Sequence, residues 1–184
     1  MLTHIITLSP ETLVTINRTA HLRQTQKRGR GQPNRKISPH SALETEIVGL
    51  KGEHAVAQYF GLEVNGSFKA DGGIDFTING YTVDVKYSSW PNGDLYFTSL
   101  AEFKADIGLL AVASYKDSPN TVRLAGWMFR ELFAGLCLYH DAPLPGERWT
   151  TWRGFGMTQS SIPPKKGCRK CEYHASPIYG MDSF

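Results

Sequence analysis

Two aspartates and a lysine flank an Asn-Gly dipeptide near the middle of the 184-residue chain. Asp75 precedes the dipeptide, and Asp84 and Lys86 follow it. Asn79-Gly80 is typical of a two-residue β-hairpin turn. In the register that such a turn sets, Asp75 faces Asp84 and Lys86 projects from the same face. Two facing carboxylates repel each other unless one is protonated or a cation lies between them, so the spacing predicts a site for a hard cation such as Mg²⁺.

An acid–acid–lysine cluster beside a metal ion has the groups needed to hydrolyse a phosphodiester bond. The metal polarises a phosphoryl oxygen and lowers the pKa of a bound water, while Lys86 orients or activates that water. The alternative is a surface hairpin whose polar face is simply solvated. Aspartate is unfavourable in strands, and two facing aspartates weaken this alternative further.

Glu53, upstream of the hairpin, is predicted to point toward the same place. On a helical wheel it falls on an apolar stripe and therefore faces the sheet. The stripe consists of Leu43, Leu50, Ala57 and Phe60, whereas Val48, Ala55 and Tyr59 lie on the opposite face. An inward-facing acid needs a partner. That partner is either the metal site, directly or through water, or an arginine in a buried ion pair.

Helices are predicted before the hairpin and mainly strands after Gly61. The first helix begins at Ser9-Pro10-Glu11 and runs toward Gly29. The second begins near Ser38-Pro39 or at Ser41, which has capping-box spacing to Glu44, and Gly61 is its expected terminator. Strands are predicted at residues 62–68, 74–78, 81–87, 96–98, 107–114 and 121–127, a helical turn at 100–104, a helix at 129–139, and irregular chain beyond 142. The core-facing side of the hairpin is predicted to hold Ile74, Phe76, Ile78, Tyr81, Val83 and Val85. This order predicts an α/β or α+β domain with a mixed central sheet flanked by helices.

Basic residues are concentrated before the second helix. Residues 18–36 contain seven Lys or Arg and no acid, which leaves 13 basic and 17 acidic residues elsewhere. This distribution is typical of a segment that contacts polyphosphate, and the alternative is a solvated arm. The expected organisation is an N-terminal helix and basic arm at 1–37, a core at 38–160 and a basic tail at 161–184.

The bulk composition points away from secreted and membrane proteins. Three cysteines do not pair evenly, no apolar run approaches the roughly 20 residues that span a bilayer, and no signal peptide is evident at the N-terminus. A cytoplasmic protein without a membrane partner is therefore expected.

Taken together, three segments resemble the PD-(D/E)XK superfamily, which includes restriction-type endonucleases and Holliday junction resolvases. They are GLKGEHAVAQYFG with Glu53, ADGGIDF with Asp75, and YTVDVKYSS with Asp84-Val85-Lys86. The similarity covers about residues 43–89 and weakens through KADIGLLAVAS and LAGWMFRELF, which are similar to bacterial and phage proteins of this type. The family's proline before its first aspartate is replaced here by Ile74.

The resemblance implies an αβββαβ restriction-endonuclease-like core and a metal-dependent DNA endonuclease, restriction-like or junction-resolving. By position, Asp75, Asp84 and the Val85 carbonyl would ligate Mg²⁺, or Mn²⁺ in its place. Glu53 would bind the ion directly or through water, and Lys86 would assist the attacking water. A resolvase would act as a homodimer. The alternatives are a non-catalytic nucleic-acid-binding protein that reuses the fold and an RNA nuclease.

The C-terminal tail carries Cys168, Cys171 and His174 at a spacing compatible with structural Zn²⁺. A fourth ligand would come from Cys137 or His140 if the tail folds back. An iron–sulfur cluster needs four cysteines and the chain has three, so free thiols in a basic tail are the other interpretation.

DNA contacts are predicted from the basic arm and from the end of the second hairpin strand. The predicted contact residues are Lys27, Arg28, Arg30, Arg35, Lys36, Ser88 and Trp90. An aromatic ring can stack on a base, and Trp90 is the tryptophan placed for it. Trp127 is expected in the core, and His54 is expected to point away from the Glu53 site.

Overall fold

The computed structural model describes residues 4–29, 41–64, 73–97, 99–114, 119–136, 138–141, 148–152 and 162. In chain order its elements are β1 His4–Thr7, α1 Pro10–Gly29, α2 Ala42–Phe60, β2 Phe76–Ile78, β3 Tyr81–Ser88, β4 Leu95–Phe97, β5 Ile107–Ala113, β6 Thr121–Phe129, α3 Arg130–Leu136, β7 Leu138–Asp141 and β8 Arg148–Trp152. No helix among these residues is long and apolar enough to cross a membrane.

The larger sheet is mixed and has the strand order β1-β6-β5-β3-β2. Strands β3 and β5 are parallel, whereas β1–β6, β5–β6 and β2–β3 are antiparallel. Asp106 helps to hold the parallel pair, because its carboxylate accepts from the Thr82 amide and hydroxyl at 2.9 Å. Strands β4, β8 and β7 form a second, antiparallel sheet. A mixed sheet with helices confirms the predicted α+β class.

Local signals determine both ends of α2. The Ser41 hydroxyl accepts from the Glu44 amide at 3.2 Å, and the Glu44 carboxylate accepts from the Ser41 amide at 2.6 Å. This reciprocal capping box satisfies two amides that the first helical turn leaves unpaired. At the other end Gly61 adopts a left-handed conformation with φ of 66° and donates its N–H to the Ala57 carbonyl. The predicted start and end of this helix are confirmed.

Helix α2 is buried on more than one side, which explains why its wheel is not cleanly amphipathic. Leu50 and Ala57 are buried as the predicted stripe requires, but Ala55 on the opposite face is buried too. Helix α1 packs along α2, and its Ile16 and Ala20 belong to the same apolar cluster. Because α2 lies between the sheet and α1, both faces need apolar residues.

Apolar clusters cover both faces of β3. Val83 and Val85 pack with α1, α2 and β1 in the first cluster. The second cluster, on the other face, is built around Phe97, Phe103 and Phe133, with the first two rings stacked at 4.0 Å between centroids. Asp84 is only 2% exposed, so its carboxylate is buried and does not lie on a solvated surface, whereas Thr77 on the same hairpin face is exposed.

Several sequence predictions are wrong or incomplete in their bounds. The helix predicted at 129–139 ends at Leu136, and residues Leu138–Asp141 form β7. Residues Arg148–Trp152, predicted as irregular, form β8, and β1 was not predicted. Strands β1 and β8 pair with β6 and β4, which are far away in sequence, so no local pattern marks them. Most of the strand predicted at 62–68 lies outside the described residues, and no helix is described between β3 and β5.

Two glycines of α2 give a matched stability test. No described atom outside the helix would lie within 4 Å of a Cβ at Gly49, whereas a Cβ at Gly52 would lie 3.2 Å from Tyr87 Cβ and 3.4 Å from Val85 Cγ1. Gly49→Ala should stabilise the fold by about 0.5–1 kcal/mol through helix propensity. Gly52→Ala should be less stable than Gly49→Ala by about 1 kcal/mol or more, because strand β3 resists the added methyl group. Urea unfolding measures both, and equal stabilities would contradict close packing at Gly52.

Candidate active site

Asp75 lies where the β2–β3 hairpin stops being regular. The ladder pairs Ile78 with Tyr81, Thr77 with Thr82 and Phe76 with Val83, as predicted from the Asn79-Gly80 turn. Both turn residues have positive φ, 50° and 82°, which is the requirement of a type I′ turn. The pairing ends at Phe76, one residue before Asp75 would enter it.

A hydrogen bond from its own amide displaces Asp75 from the regular ladder. The Asp75 N–H donates to the Val83 carbonyl at 2.9 Å, so Asp75 and Phe76 both lie opposite Val83, as in a β-bulge. The prediction that Asp75 lies directly opposite Asp84 in the ladder is therefore wrong. The prediction that Ile74 faces the first core is wrong, because Ile74 packs against the second cluster. An extra residue in a strand reverses the alternation beyond it, which explains the change of face.

The Asp75 side chain takes the place of a backbone partner for β3. Its Oδ2 accepts from the Val85 N–H at 2.7 Å. In an antiparallel strand the N–H and C=O of one residue point to the same side, so the Val85 carbonyl faces this same strand edge. The carboxylate of Asp75 and the carbonyl of Val85 are thus brought together at the edge of β3, beyond the last ladder pair.

Asp84 and Lys86 form an ion pair on the second-cluster face. The Lys86 ammonium donates to both carboxylate oxygens of Asp84, at 2.6 and 2.8 Å. It also lies 4.9 Å from the centroid of the Phe97 ring, a cation–π contact. Gly73, with φ of 86°, passes close by, since a Cβ there would lie 3.6 Å from Asp84 Oδ2.

Glu53 is paired with Arg23 of α1. The two guanidinium nitrogens lie 3.1 Å from the two carboxylate oxygens of Glu53, and Nη1 also lies 3.3 Å from Glu46. Lys27 forms a further ion pair with Glu46. Of the two partners considered for an inward-facing Glu53, the structure therefore contains the arginine.

The three acids influence one another electrostatically. Burial raises the pKa of Asp75 to about 7, and the negative charge of Glu53 and then that of Asp84 add to the increase. The Val85 N–H and the Lys86 ammonium act in the opposite direction on the same pKa. Because the charges of Glu53, Asp84 and Lys86 all shift the pKa of Asp75, the fold brings the four predicted catalytic residues into one electrostatic neighbourhood.

Two acids of this neighbourhood fit a hard divalent cation. Within the described residues no three His, Cys, Asp or Glu side chains are grouped as a metal site. Asp84 and Glu53 form ion pairs with Lys86 and Arg23. Mg²⁺ nevertheless needs only one or two carboxylates and keeps water at its other positions. Asp75, Asp84 and the Val85 carbonyl offer oxygen donors of the type that this ion takes. The raised pKa of Asp75 is the effect that a nearby cation would reverse.

The predicted nucleic-acid contacts have different outcomes. The Trp90 side chain lies at the surface, with 74% of the residue exposed. The backbone N–H of Trp90 donates to the Ser88 hydroxyl at 3.1 Å, which stabilises the turn after β3. Lys27 forms an ion pair with Glu46. The structure describes Arg28 only as a residue of α1. Outside the described residues lie Arg30, Arg35, Lys36, Cys137, Cys168, Cys171 and His174. His140 is described only by its place on β7.

The remaining predictions concern Trp127 and His54. Trp127 is buried in the first cluster, as predicted. His54 has a pKa lowered by burial, with the nearby charges of Glu53 and Arg23 acting in opposite directions. It lines a cleft with Thr7, Thr12 and Glu63 rather than joining the carboxylates.

Sequence reasoning missed Arg23 as a partner of Glu53. Arg23 and Lys27 are four residues apart on one helix, and Glu46 and Glu53 are seven apart on the next. Both spacings place charges on one helical face, so two complementary stripes were readable. What was not readable was that α1 and α2 pack side by side.

Comparison of the chain with family models, curated proteins and solved structures found no match. The resemblance to PD-(D/E)XK nucleases therefore depends on the residues of this chain alone. No family is assigned to the chain on this basis.

Asp75→Asn tests the buried carboxyl through the pH dependence of stability. The folded pKa of about 7 lies above the ordinary value of 3.8, so the folded state keeps this proton longer than the unfolded state. This contribution to stability is complete below pH ~4 and is lost as the pH rises toward about 7. Asparagine keeps an acceptor for the Val85 N–H but has no charge.

Asp75→Asn should therefore be more stable than wild type at pH 8, by at most about 4 kcal/mol, and the gain should shrink toward pH 5. Urea unfolding between pH 5 and pH 8 measures the difference. The control is Glu131→Gln, an exposed acid on α3, which should give a flat difference. A gain in stability for Asp75→Asn that does not change with pH would show that the pKa of Asp75 is not raised.

Proposed function

We propose that this protein is a divalent-metal-dependent nuclease that hydrolyses phosphodiester bonds in DNA, with Glu53, Asp75, Asp84 and Lys86 as catalytic residues. The observation that carries the proposal is the position of the half-buried Asp75 carboxylate, which accepts from the Val85 N–H at 2.7 Å at the edge of β3. Burial, and then the charges of Glu53 and Asp84, raise the pKa of this carboxyl to about 7. A fold that gathers acids in a buried place, with a lysine beside them, matches the requirements of metal-assisted phosphoryl chemistry.

Asp75, Asp84 and the Val85 carbonyl are the residues that would hold the ion. When bound, Mg²⁺ or Mn²⁺ supplies a polarised phosphoryl oxygen and a water of lowered pKa. Val85 keeps Asp75 in place through its N–H, and Asp84 keeps the Lys86 ammonium at the site. Lys86 donates a hydrogen bond to the attacking water or to a phosphate oxygen, and Glu53 assists through water. Exclusion of solvent around Asp84 strengthens each of these interactions.

The basic residues outside the core are proposed to hold the DNA backbone. Arg18 is exposed on α1, whereas Arg23 and Lys27 are directed to the acids of α2. The phosphate contact is thus assigned to Arg18, Arg28 and the basic residues that follow Gly29. Such contacts are independent of sequence and weaken with salt. The homodimer and the zinc site of the tail remain predictions from the sequence.

One observation favours the second candidate, a non-catalytic nucleic-acid-binding protein. Lys86 occupies both oxygens of Asp84, and Arg23 occupies both oxygens of Glu53. These two carboxylates are neutralised by the chain's own cations, so the arrangement is also stable without a metal ion. In that case nucleic acid would bind without being cut, and Mg²⁺ would have no effect on stability.

Cleavage assays separate the two functions. Wild type with Mg²⁺ or Mn²⁺ should cut plasmid, branched or single-stranded DNA and should be inactive in EDTA. Asp84→Asn and Lys86→Met should each reduce the rate by about 100-fold or more, because each removes a group that stabilises the developing charge. Glu131→Gln, far along the chain on α3, should cut like wild type. If DNA and RNA substrates stay intact with both metals, the nuclease proposal fails.

Metal binding should depend on pH through the carboxyl of Asp75. A proton and a cation compete for that carboxyl, so Mg²⁺ should raise the melting temperature more at pH 8 than at pH 6. The increase should be largely absent in Asp75→Asn and Asp84→Asn. Differential scanning fluorimetry at constant ionic strength, with KCl replacing MgCl₂ as the control, measures it. An equal increase in all three proteins would indicate binding elsewhere.

A further inference from the structure

Arg23 links the N-terminal helix α1 directly to Glu53. Its Nη1 and Nη2 lie 3.1 Å from Oε1 and Oε2 of Glu53, so two parallel bonds hold the carboxylate. On the other side the same Nη1 lies 3.3 Å from Glu46. The three side chains expose only 12–14% of their surface.

Paired bonds of this kind define the plane of the carboxylate as well as its position. A lysine at the same place would act as a point charge and leave the carboxylate free to rotate. The Glu46 contact in turn keeps the guanidinium from following Glu53. The orientation of Glu53 is thus set by a residue that lies 30 positions earlier in the chain.

Contacts other than this ion pair also hold α1 against α2 and the core. The neighbouring Gln24 side chain donates to the Ala42 carbonyl at 3.0 Å, and Ile16 and Ala20 are fully buried against the core. Buried ion pairs generally add little net stability, because desolvation offsets the attraction. A role limited to helix packing therefore does not explain why Arg23 donates to both carboxylate oxygens of Glu53.

We propose that Arg23 is a positioning residue that holds the Glu53 carboxylate in its working orientation and balances its charge, so that α1 is part of the active site. The inference rests on the proposed function, in which Glu53 assists a metal-bound site. It also changes the interpretation of the basic segment: Arg23 serves the site and is not a phosphate contact. Glu53 in turn acts on Asp75, whose pKa it raises.

The test combines Mn²⁺ binding by calorimetry with single-turnover cleavage at saturating Mn²⁺ and DNA. The variants are Arg23→Met, Arg23→Lys, Glu53→Gln, and Arg23→Met combined with Glu53→Gln. The matched control is Gln24→Leu, which removes another tie between α1 and α2 without touching Glu53. Urea unfolding of every variant gives the folded fraction, to which affinities and rates are corrected.

Arg23→Met should bind Mn²⁺ at least threefold more tightly, because a positive charge is lost, and yet cleave at least tenfold more slowly, because Glu53 is no longer oriented. Arg23→Lys should restore the wild-type affinity but not the rate. Glu53→Gln should bind at least threefold more weakly, and adding Arg23→Met to it should slow cleavage no further. Gln24→Leu should match wild type in affinity and rate.

Wild-type rate and affinity in Arg23→Met, or rate losses that multiply in the double variant, would overturn the proposal. If the wild type binds Mn²⁺ with the expected pattern of affinities but cuts no nucleic acid, the nuclease function fails and the balancing of Glu53 by Arg23 stands. If the wild type binds no Mn²⁺, both proposals fail.

Discussion

The hydrogen bond from the Val85 amide to the Asp75 carboxylate is the interaction on which the candidate site depends. It forms at the point where the hairpin ladder ends, so a side chain takes over the acceptor role of a backbone carbonyl. Without the irregularity at Asp75, the ladder would continue and the backbone of residue 74 would cover this edge of β3. The site exists because one strand stops pairing while the other continues to Ser88.

Burial strengthens the electrostatic interactions between the charged side chains of this region. The carboxylates lie between a helical layer and an aromatic cluster, where water screens them little. Each is accompanied by a donor: Val85 N–H for Asp75, Lys86 for Asp84 and Arg23 for Glu53. These donors come from three different parts of the fold, namely the edge of β3, the second face of β3, and α1. The arrangement of the candidate site is therefore coupled to the packing of α1 on α2.

Elements with local signals were predictable. The capping box at Ser41, the left-handed Gly61 and the Asn79-Gly80 turn act within a few residues, and each is found where the sequence places it. Strands β1, β7 and β8 were not predicted. Strand β1 pairs with β6 and β8 pairs with β4, both distant in sequence, whereas β7 pairs with the neighbouring β8, and the residues of these strands carry little pattern. The candidate site was predictable to the level of its four residue types, since they lie on the hairpin and on the capped helix.

The amino-acid sequence by itself determined the hairpin register between Phe76 and Val83 and the bounds of α2, because turn chemistry, capping and alternation act over short distances. It also identified Glu53, Asp75, Asp84 and Lys86 as candidates. Only the tertiary structure decided how these acids are paired. Contacts between segments that are separated in the sequence produce the bulge at Asp75, the change of face at Ile74 and the ion pair between Arg23 and Glu53. These contacts depend on how whole helices and strands pack against one another, and no short-range sequence pattern predicts that packing.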